Sequence, residues 1–278
     1  MPMQKKVAIQ GLRGSFHHEA AALYFDEAPQ LVECETFQDV IAETLGGSAD
    51  VGIMAIENSL AGSIIPNYNL VRTHEVEIAG EVGLRVRMNV IAQPGTRIDD
   101  ITEIHSHQMA FRQCGGFFAD YPDMKIVEAF DTAGSVKKIA DEGLANIGAI
   151  ASQQAAREYG MEIVQAGIED HDLNYTRFLI LQKKGEGEVS DPNKVSIYFQ
   201  TSHEPGSLAQ TLTIISGLGI NLSKLQSHPV PSKNTLYGFY ATLQIEEIQQ
   251  LRDLEIIMNR LALTFEILGI YRKGETHG

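Results

Sequence analysis

Short apolar runs alternate with helical patterns through the first half of the chain. Lys6–Gln10 predicts a buried strand that ends in a turn at Gly11 and Gly14, after which Ser15 caps a helix. The next units of the same kind are a strand at Gln30–Cys34 with a helix at Thr36–Leu45, and a strand at Val51–Ile56 with a helix that opens at Ser59 or Gly62. Strands that alternate with helices at this spacing indicate an α/β fold with parallel sheets.

Residues 75–92 interrupt the rhythm with a period-2 alternation, which predicts an extended strand crossing from one sheet to another. The later pattern predicts strands at Ile101–Ile104, Lys125–Val127, Ile147–Ile150, Glu162–Val164 and Thr176–Leu181, with helices from about His107, at Thr132–Gly143 and from Ser152. We expect two lobes, one about 1–80 plus 170–183 and the other about 81–169. Crossings near residues 80 and 170 would leave a ligand cleft between the lobes.

A polar, glycine-bearing linker at 184–193 precedes a smaller unit at 194–273. Its βαββαβ pattern has strands at Val195–Gln200, Asn221–Leu225, Leu236–Leu243 and Phe265–Tyr271, with helices at Gly206–Leu218 and Glu247–Leu261. A unit of this size can fold independently.

Negative charge is concentrated in the first part of the chain. The 278 residues carry 36 acidic and 22 basic side chains, a net charge of −14. Residues 1–183 hold 26 acidic and 14 basic side chains, and residues 184–278 hold 10 and 8. This balance argues against nucleic-acid partners, which need a basic surface, and against an anionic membrane surface.

From the cysteine content and the apolar runs we expect a soluble cytoplasmic protein. Cys34 and Cys114 provide neither a disulfide framework nor a metal-ligand spacing. The start has no apolar run typical of a signal peptide, and no stretch approaches the ~18 apolar residues that a membrane helix needs.

Small and polar residues follow the first strand. Gly11 and Gly14 precede a helix start, where free N–H groups suit an anion, although an ordinary tight turn also explains them. A dinucleotide fingerprint needs a third glycine in the region that His17 and Glu19 occupy, so a nicotinamide site is rejected.

Two further motifs lie at strand ends. Glu57-Asn58-Ser59 follows the third strand, where it either lines a cleft or caps a helix. Thr176-Arg177 offers a hydroxyl donor and a cationic fork suited to a carboxylate, but its spacing alone favours a strand start whose arginine balances nearby acids.

His105 and His107 do not predict a metal site. We expect these histidines to be polar residues that are satisfied locally at a strand-to-helix turn, rather than ligands of a shared ion. The residues alone therefore indicate a two-lobed binder of anions or amino acids, with a small appended domain and no metal.

Six motifs in order resemble the prephenate dehydratase family, in the monofunctional form with a C-terminal ACT domain. They are GLRGSFHHEAA from Gly11, IENSLAG from Ile56, SHQMAFRQC from Ser106, DTAGS from Asp131, IAS from Ile150 and NYTRF from Asn174. The resemblance implies a catalytic domain of two lobes like type II periplasmic binding proteins, and a ferredoxin-like ACT domain. It also implies loss of CO₂ and the ring hydroxyl from prephenate to give phenylpyruvate in L-phenylalanine biosynthesis, without a cofactor.

The resemblance also assigns roles to residues. The implied catalytic residues are Thr176, Ser59, Asn58 and Glu57, and the implied substrate-binding residues are Arg177, Phe178, Ser15, Gly14, Thr132 and Gln108. We expect Thr176 to donate a hydrogen bond or proton to the departing hydroxyl, with Ser59 or Asn58 assisting. Arg177 would hold a substrate carboxylate with help from Ser15 and N–H groups near Gly14, and Phe178 would pack beneath the ring.

The tail resembles an ACT domain that binds L-phenylalanine as a feedback inhibitor between protomers of a homodimer or homotetramer. The implied effector residues are Gly206, Ser207, Leu208, Ala209, Asn221, Leu222, Gln226, Ser227, His228 and Pro229. Gln226 and His228 replace the glutamate and arginine of the usual Glu-Ser-Arg-Pro segment, which puts the affinity for L-phenylalanine in question. An ACT domain that serves only in dimerisation is the alternative.

Two other functions stay open from the sequence. An arogenate dehydratase would carry the same motifs, and the acidic first part suits a substrate with an ammonium group. A cytoplasmic amino-acid sensor built on a binding-protein fold is the non-enzyme alternative. Whether the assembly is a dimer or a tetramer, and how the lobes move, is also left open.

Overall fold

The chain divides into two compact units in a computed structural model that describes residues 4–187, 189–230 and 236–278. The first unit contains residues up to 62, residues 82–178 and the last three residues, 276–278. The second unit contains residues 63–81 and 179–275. The chain therefore passes between the units several times.

The elements are numbered in chain order. As far as residue 106 they are β1 (Lys6–Gln10), α1 (Phe16–Tyr24), β2 (Gln30–Cys34), α2 (Phe37–Gly46), β3 (Val51–Asn58), β4 (Gly62–Ser63), α3 (Ile65–Thr73), β5 (Val76–Arg85), β6 (Asn89–Ala92), a 3₁₀ helix (Ile98–Asp100) and β7 (Glu103–Ser106). Those that follow as far as residue 183 are α4 (Gln108–Arg112), α5 (Gly115–Asp120), β8 (Lys125–Glu128), α6 (Thr132–Glu142), β9 (Ile147–Ala151), α7 (Gln153–Glu158), β10 (Glu162–Gln165) and β11 (Tyr175–Lys183). The last are β12 (Lys194–Gln200), α8 (Ser207–Gly217), β13 (Asn221–Val230), β14 (Leu236–Gln244), α9 (Ile248–Leu261), β15 (Thr264–Tyr271) and β16 (Thr276–His277).

The first sheet has the strand order β16-β5-β11-β3-β1-β2, with β4 paired to β3. β1 runs parallel to both β2 and β3. Val7, Ala8 and Ile9 are completely buried, as expected for a parallel strand covered on both faces. Parallel pairing places the residues that follow β1 and β3 at one edge of this sheet, the carboxyl edge.

The second sheet of the first unit has the order β10-β6-β9-β7-β8. β7 is parallel to β8 and β9, whereas β6 is antiparallel to β9 and β10. α4, α6 and α7 begin within a few residues of the ends of β7, β8 and β9. Their N-termini therefore lie along the carboxyl edge of this second sheet, where ligands of open α/β sheets bind.

The alternating strands and helices confirm the predicted α/β class, but four local predictions are wrong. The sheets are mixed rather than parallel, because β6 enters the second sheet against its neighbours. The segment at 75–92 crosses from the first sheet to the second, as predicted, but as the two strands β5 and β6, and the strand predicted at Ile101–Ile104 is Glu103–Ser106. The helix expected to open at Ser59 or Gly62 begins at Ile65, with proline in its first turn.

The C-terminus returns to the first unit, which the sequence pattern does not indicate. β16 pairs in parallel with β5, with Thr276 opposite Gly83 and His277 opposite Leu84. A Cβ atom on Gly83 would lie 2.7 Å from the Thr276 Oγ1 atom, so this glycine lets the last strand approach closely.

The second unit contains the predicted βαββαβ order. β12, β13, β14 and β15 form an antiparallel sheet in the order β13-β14-β12-β15. Its helix-covered face is an apolar core that includes Val195, Ile197 and Phe199 of β12 with Leu251 and Leu254 of α9. Successive strand residues alternate between faces, so Tyr198 belongs to the opposite face of this sheet.

Helix α3 contacts that opposite face through a polar aromatic group that we call the Arg72 cluster, made of Asn69, Arg72, Tyr198, Tyr240 and Glu266. The Arg72 guanidinium carbon lies 3.9 Å from the centre of the Tyr198 ring, and the Arg72 Nε atom lies 3.1 Å from Glu266 Oε2. The Tyr240 hydroxyl donates to Asn69 Oδ1 at 2.6 Å. The cluster joins the segment after β3 to the sheet of the second unit.

A buried ion pair connects the two stretches of chain that build the second unit. Lys194 Nζ lies 2.6 Å and 2.8 Å from the two carboxylate oxygens of Glu81. Both residues are buried, at 7% and 4% exposure. Each charge compensates the other where little water can do so.

We predict that Glu81→Gln lowers the free energy of unfolding by about 3–5 kcal/mol, because it leaves the Lys194 ammonium buried without its countercharge. The double variant Glu81→Leu with Lys194→Met should recover most of that loss. The measurement is urea unfolding followed by circular dichroism.

Asp141→Asn provides the control, because the ion pair of Lys137 with Asp141 is exposed on one helix. It should change the free energy of unfolding by no more than about 0.5 kcal/mol. Equal effects of Glu81→Gln and Asp141→Asn would contradict the role given to the buried pair.

Candidate functional site

Two of the sequence motifs lie side by side on neighbouring strands. The Ser59 N–H donates to the Tyr175 carbonyl at 2.8 Å, Asn58 Nδ2 lies 3.0 Å from Thr176 Oγ1, and Arg177 Nε lies 2.6 Å from Glu57 Oε1. Residue numbers rise on β3 as they fall on β11, which is the register of an antiparallel pair. The sequence motifs 57–59 and 175–177 therefore face one another directly.

The Asn58 carboxamide is the centre of this pairing. Its Oδ1 atom accepts the backbone N–H groups of Leu60 at 3.0 Å and Ala61 at 2.9 Å. Its Nδ2 atom donates to Asn174 Oδ1 at 2.7 Å and to Thr176 Oγ1 at 3.0 Å, with the Tyr175 carbonyl at 3.3 Å. Because the oxygen holds two backbone donors, the amide nitrogen must face Thr176.

The Thr176 hydroxyl is consequently an acceptor toward the protein. Thr176 is 9% exposed, and among the contacts in the described part of the chain its oxygen accepts from Asn58 and donates to no group. A hydroxyl carries one hydrogen and two lone pairs, so the hydrogen points away from Asn58. The hydrogen of the Thr176 hydroxyl is therefore not used in its contact with Asn58.

Glu57 and Arg177 pair with each other. Adjacent strand residues point to opposite faces, so this ion pair lies on the other side of the strand pair from Asn58 and Thr176. The catalytic role assigned to Glu57 stays a prediction. The pair instead fixes the orientation of the Arg177 guanidinium.

Ser59 fixes the loop after β3. Its hydroxyl donates to the Leu173 carbonyl at 2.6 Å and accepts the Tyr175 N–H at 2.9 Å. These bonds join the end of β3 to the beginning of β11, and they replace the helix cap that the sequence allowed.

Gly14 and Ser15 are used within the fold. Gly14 has φ +84°, its N–H donates to His18 Nδ1 at 3.0 Å, and its carbonyl accepts from the Ser152 hydroxyl at 2.6 Å. A Cβ atom here would lie 2.7 Å from the Ala155 Cα atom, so only glycine allows this approach of α7. The Ser15 hydroxyl accepts the His18 N–H as the cap of α1.

These contacts bring the carboxyl edges of the two sheets together. Ser152 caps α7 after β9, and the Tyr159 hydroxyl donates to the Arg13 carbonyl at 2.8 Å. Gln108 and Thr132, the other predicted ligand-binding residues, are the first residues of α4 and α6 along the same edge. The side chains of His107, Asp131 and Ser152 cap the N-termini of α4, α6 and α7 at this edge.

Phe178 does not reach the surface of the site. It is 1% exposed, and its ring packs edge-on against the His17 ring with centroids 5.0 Å apart. The prediction that Phe178 packs beneath a ligand ring is therefore wrong for this structure, because residue 178 lies in the core on which the Thr176 strand rests.

Two site residues were missing from the sequence-based assignment. Asn174 accepts from Asn58 and, through Nδ2, donates to Gln113 Oε1 at 3.2 Å. Asn174 belongs to the Asn-Tyr-Thr-Arg-Phe motif and Gln113 to the motif after β7, so both were visible in the sequence. Their contact across 61 positions of the chain was not.

The residues predicted to bind an effector are divided between two faces of the second unit. A cavity of about 340 Å³ is lined by Thr201, Ser202, His203, Glu204, Pro205, Ser207, Leu208, Tyr237 and Phe239. Ser207 and Leu208, two of the residues predicted to bind the effector, are among those that line it. Gln226 and His228 pair with Tyr240 and Gly238, one position out of step with Phe239, and the His228 ring stacks on Tyr240. They therefore lie on the opposite sheet face from Phe239.

The next two features concern metal ions and membranes. Among the described residues, no group of three or more His, Cys, Asp or Glu side chains is placed to hold a metal ion. No helix in the same part of the chain is long and apolar enough to cross a membrane.

Comparison with known sequences gives a consistent family. The profile described as PDT: Prephenate dehydratase matches residues 7–186. Arogenate dehydratase 2 of Petunia hybrida is 36% identical over 81% of this chain and 57% of its own length. Arogenate dehydratase/prephenate dehydratase 2, chloroplastic, of Arabidopsis thaliana is 35% identical over 96% of this chain and 72% of its own. This chain thus spans about half to three-quarters of those relatives.

Solved structures share the architecture over almost the whole chain. GqqA, described as a novel type of quorum quenching acylase, has a TM-score of 0.83 and 27% identity over 97% of this chain and 98% of its own. The prephenate dehydratase of Arthrobacter aurescens in complex with L-Phe has a TM-score of 0.83 and 23% identity over 96% of this chain and 90% of its own. The second likeness shows the fold.

His17, which supports the Thr176 strand from below, predicts a pH dependence of stability. It accepts the Ala55 N–H at 3.3 Å, and complete burial lowers its pKa from 6.5 to about 4. Between these values the unfolded chain binds a proton that the folded chain excludes. Stability therefore falls as the pH drops through this window.

We predict that His17→Gln, which keeps an acceptor for Ala55, reduces the loss of unfolding free energy between pH 7 and pH 5 by about 2 kcal/mol. The measurement is urea unfolding at both pH values. His171→Gln, at an exposed histidine, is the matched control. An unchanged pH dependence in His17→Gln would show that the buried imidazole is not the titrating group.

Proposed function

Because the chain belongs to the prephenate dehydratase family, we propose that it converts prephenate to phenylpyruvate, with Thr176 as the donor to the departing hydroxyl. The observation that carries the proposal is the Asn58–Thr176 hydrogen bond, in which the Thr176 oxygen accepts, so that its own hydrogen is not used toward Asn58. A hydrogen-bond donor held in place before reaction is what stabilisation of a leaving oxygen requires.

The reaction needs little covalent help because it makes an aromatic ring. The electron pair of the bond to the ring carboxylate moves into the ring as CO₂ departs. The pair of the ring carbon–oxygen bond leaves with the hydroxyl oxygen, which takes up one proton and departs as water. Negative charge therefore develops on that oxygen, and a donor placed there lowers the barrier.

Thr176 meets this requirement as a hydrogen-bond donor. A threonine hydroxyl is a weak acid, so stabilisation of the developing charge describes its role better than complete proton transfer. Arg177 was predicted to hold a substrate carboxylate, but its pairing with Glu57 on the opposite face of the strand pair from Thr176 counts against one substrate contacting both side chains. Gln108 and Thr132, the first residues of α4 and α6, stay the other proposed substrate-binding residues.

The hydroxyl of Ser59 favours dehydration over the acyl transfer suggested by the description of GqqA. A serine nucleophile needs an adjacent base that takes its proton. Ser59 donates instead to the Leu173 carbonyl and accepts from the Tyr175 N–H. It holds a loop in place.

We predict that Thr176→Ala lowers kcat for prephenate by about 10²- to 10³-fold, the loss typical when one such donor is removed. Thr176→Ser should keep most of the activity, because it keeps the hydroxyl. Phenylpyruvate formation, followed by its absorbance, is the assay. Thr102→Ala, an exposed threonine of the same unit, is the control. Near wild-type turnover by Thr176→Ala would remove Thr176 from the mechanism.

Arogenate is the alternative substrate, since the plant relatives carry its name. It differs from prephenate by an ammonium group in place of the keto oxygen. We expect kcat/KM to be higher for prephenate in parallel assays of the purified protein. A higher value for arogenate would change the substrate and leave the role of Thr176 intact.

For the second unit we propose an ACT regulatory domain that binds L-phenylalanine and joins protomers into a homo-oligomer. The βαββαβ order and the cavity beside Ser207 and Leu208 support this proposal. The Arthrobacter aurescens neighbour, described as a complex with L-Phe, directs attention to the same amino acid.

We predict that Leu208→Trp weakens L-phenylalanine binding at least ~10-fold in calorimetric titration, because the larger side chain occupies the cavity volume that the ligand needs. Gln210→Trp, at an exposed position of the same helix, should bind normally. No binding of L-phenylalanine to the wild-type protein would instead favour a domain that serves in assembly, and light scattering would then report the number of protomers.

A further inference from the structure

We propose that Phe130 and Leu173 are specificity-determining residues that contact the ring of the substrate, and this inference rests on the proposed dehydration of prephenate. They are the most exposed large apolar side chains among the residues that the structure describes, at 73% and 72%. Single exposed apolar side chains are common on protein surfaces. These two differ because of their place in the chain. Phe130 immediately precedes the motif that begins at Asp131, and Leu173 immediately precedes Asn174 of the Thr176 motif.

Two other exposed apolar side chains have similar places. Leu60 lies two positions after the end of β3, and Met109 lies in the first turn of α4. Leu60 and Leu173 therefore belong to the carboxyl edge of the first sheet, and Met109 and Phe130 follow β7 and β8 at the carboxyl edge of the second. All four belong to the first unit. We call these four side chains the apolar rim.

Hydrogen bonds hold the backbone that carries Leu60 and Leu173. The Ser59 hydroxyl donates to the Leu173 carbonyl at 2.6 Å, and the Leu60 N–H donates to Asn58 Oδ1 at 3.0 Å. The exposure of the two leucines therefore does not come from a loop without contacts. Each leucine is held at a fixed point, within three positions of Asn58 or Thr176 along the chain.

The backbone on either side of Phe130 is held in a similar way. The Ala129 N–H donates to the Ser106 carbonyl at 2.8 Å, which joins the end of β8 to the end of β7. On the other side, the Asp131 side chain accepts the Gly134 N–H and caps α6. The exposed aromatic side chain is thus carried by a fixed backbone at the beginning of α6.

The two halves of the apolar rim belong to edges that meet. The Ser152 hydroxyl donates to the Gly14 carbonyl at 2.6 Å, and the Tyr159 hydroxyl donates to the Arg13 carbonyl at 2.8 Å. A ligand that binds between these edges therefore has apolar side chains from both sheets beside it. Binding sites for small molecules combine such apolar surface with a few polar groups.

The ring of prephenate is the part of the ligand that suits the apolar rim. Its carboxylates and hydroxyl require polar partners, whereas its ring carbons gain free energy by leaving water. Phe178, the aromatic residue expected beneath the ring, is buried in the core. Phe130 and Leu173 supply the apolar contact that Phe178 cannot make.

Contact with the ring carbons predicts an effect on binding rather than on the chemical step. The same six ring carbons are present in the substrate, the transition state and phenylpyruvate, so the contact stabilises all three to a similar extent. A contact of this kind changes KM and leaves kcat nearly unchanged. It also gives the protein an affinity for aryl carboxylates, of which phenylpyruvate is one.

The first experiment measures steady-state turnover of prephenate by Phe130→Ser, by Leu173→Ser and by the double variant. Each single substitution should raise KM about 3- to 10-fold, and the double variant at least ~10-fold, because partly buried apolar contacts are lost. In all three variants kcat should stay within about threefold of the wild type. Phe130→Leu keeps an apolar side chain and should keep KM within about twofold. Ile126→Ser, at an exposed position of β8, is the matched control and should leave KM unchanged.

Fluorescence tests the contact directly, because the chain contains no tryptophan. Phe130→Trp places a single indole on the apolar rim. Its emission maximum should move to shorter wavelength as phenylpyruvate is added, because the ligand displaces water from the indole ring. Ile126→Trp should show no such movement. Addition of Leu173→Ser to Phe130→Trp should raise the midpoint of the phenylpyruvate titration about 3- to 10-fold.

Wild-type KM in both Phe130→Ser and Leu173→Ser would overturn the ring contact and leave the proposed function standing. An unmoved emission maximum in Phe130→Trp, at phenylpyruvate concentrations that saturate the protein in calorimetry, would overturn it as well. So would a lowered kcat with unchanged KM, because the contact acts on binding. A wild-type protein that turns over neither prephenate nor arogenate, while phenylpyruvate moves the emission of Phe130→Trp, would overturn the proposed function and leave the apolar rim as a site for aryl carboxylates.

Discussion

The hydrogen bond from Asn58 to Thr176 is the interaction on which the proposed site depends. It exists because β3 and β11 pair with residues 57–59 opposite residues 175–177. A shift of one position would turn Thr176 to the other face of the sheet and exchange its partners with those of Arg177. Register therefore decides which side chain becomes a donor and which belongs to an ion pair.

Packing around this strand pair holds the Thr176 hydroxyl, the proposed donor, in position. Phe178 and His17 fill the core beneath β11, and His17 stays neutral because burial lowers its pKa to about 4. The packing keeps the strand in place while polar groups at its beginning fix the loop. Asn174 and Ser59 connect that loop to the end of β3. Residues that hold the loop in place therefore lie within a few positions of Thr176, the proposed donor.

Much of the architecture followed from local pattern. The alternating runs in the first 60 residues and the βαββαβ order after residue 194 carry strong periodicity, and the strands and helices form close to where the pattern put them. Pairing between strands that are far apart in the chain produces no such periodic pattern in the sequence. The antiparallel entry of β6 and the return of β16 to β5 depend on contacts between distant segments. Neither pairing can be recognised from the residues of the strand that forms it.

For the candidate site as well, local motifs could be recognised in the sequence but contacts between distant residues could not. The motif around Thr176 indicated a hydroxyl donor, but spacing could not show that Asn58 would orient it, because the two lie 118 positions apart. Phe178 was assigned to a ligand ring from its place in the motif, whereas strand alternation and packing put it in the core. Gln113 was overlooked because its partner Asn174 comes from a different part of the chain.

Neutron diffraction from crystals exchanged into D₂O tests the central claim most directly, because it locates the hydrogen on Thr176 Oγ1. We expect two deuterons on the Asn58 nitrogen that faces Thr176 and a hydroxyl deuteron that points away from Asn58. A hydroxyl deuteron directed at Asn58, with the amide oxygen facing Thr176, would contradict the assignment of Thr176 as the donor.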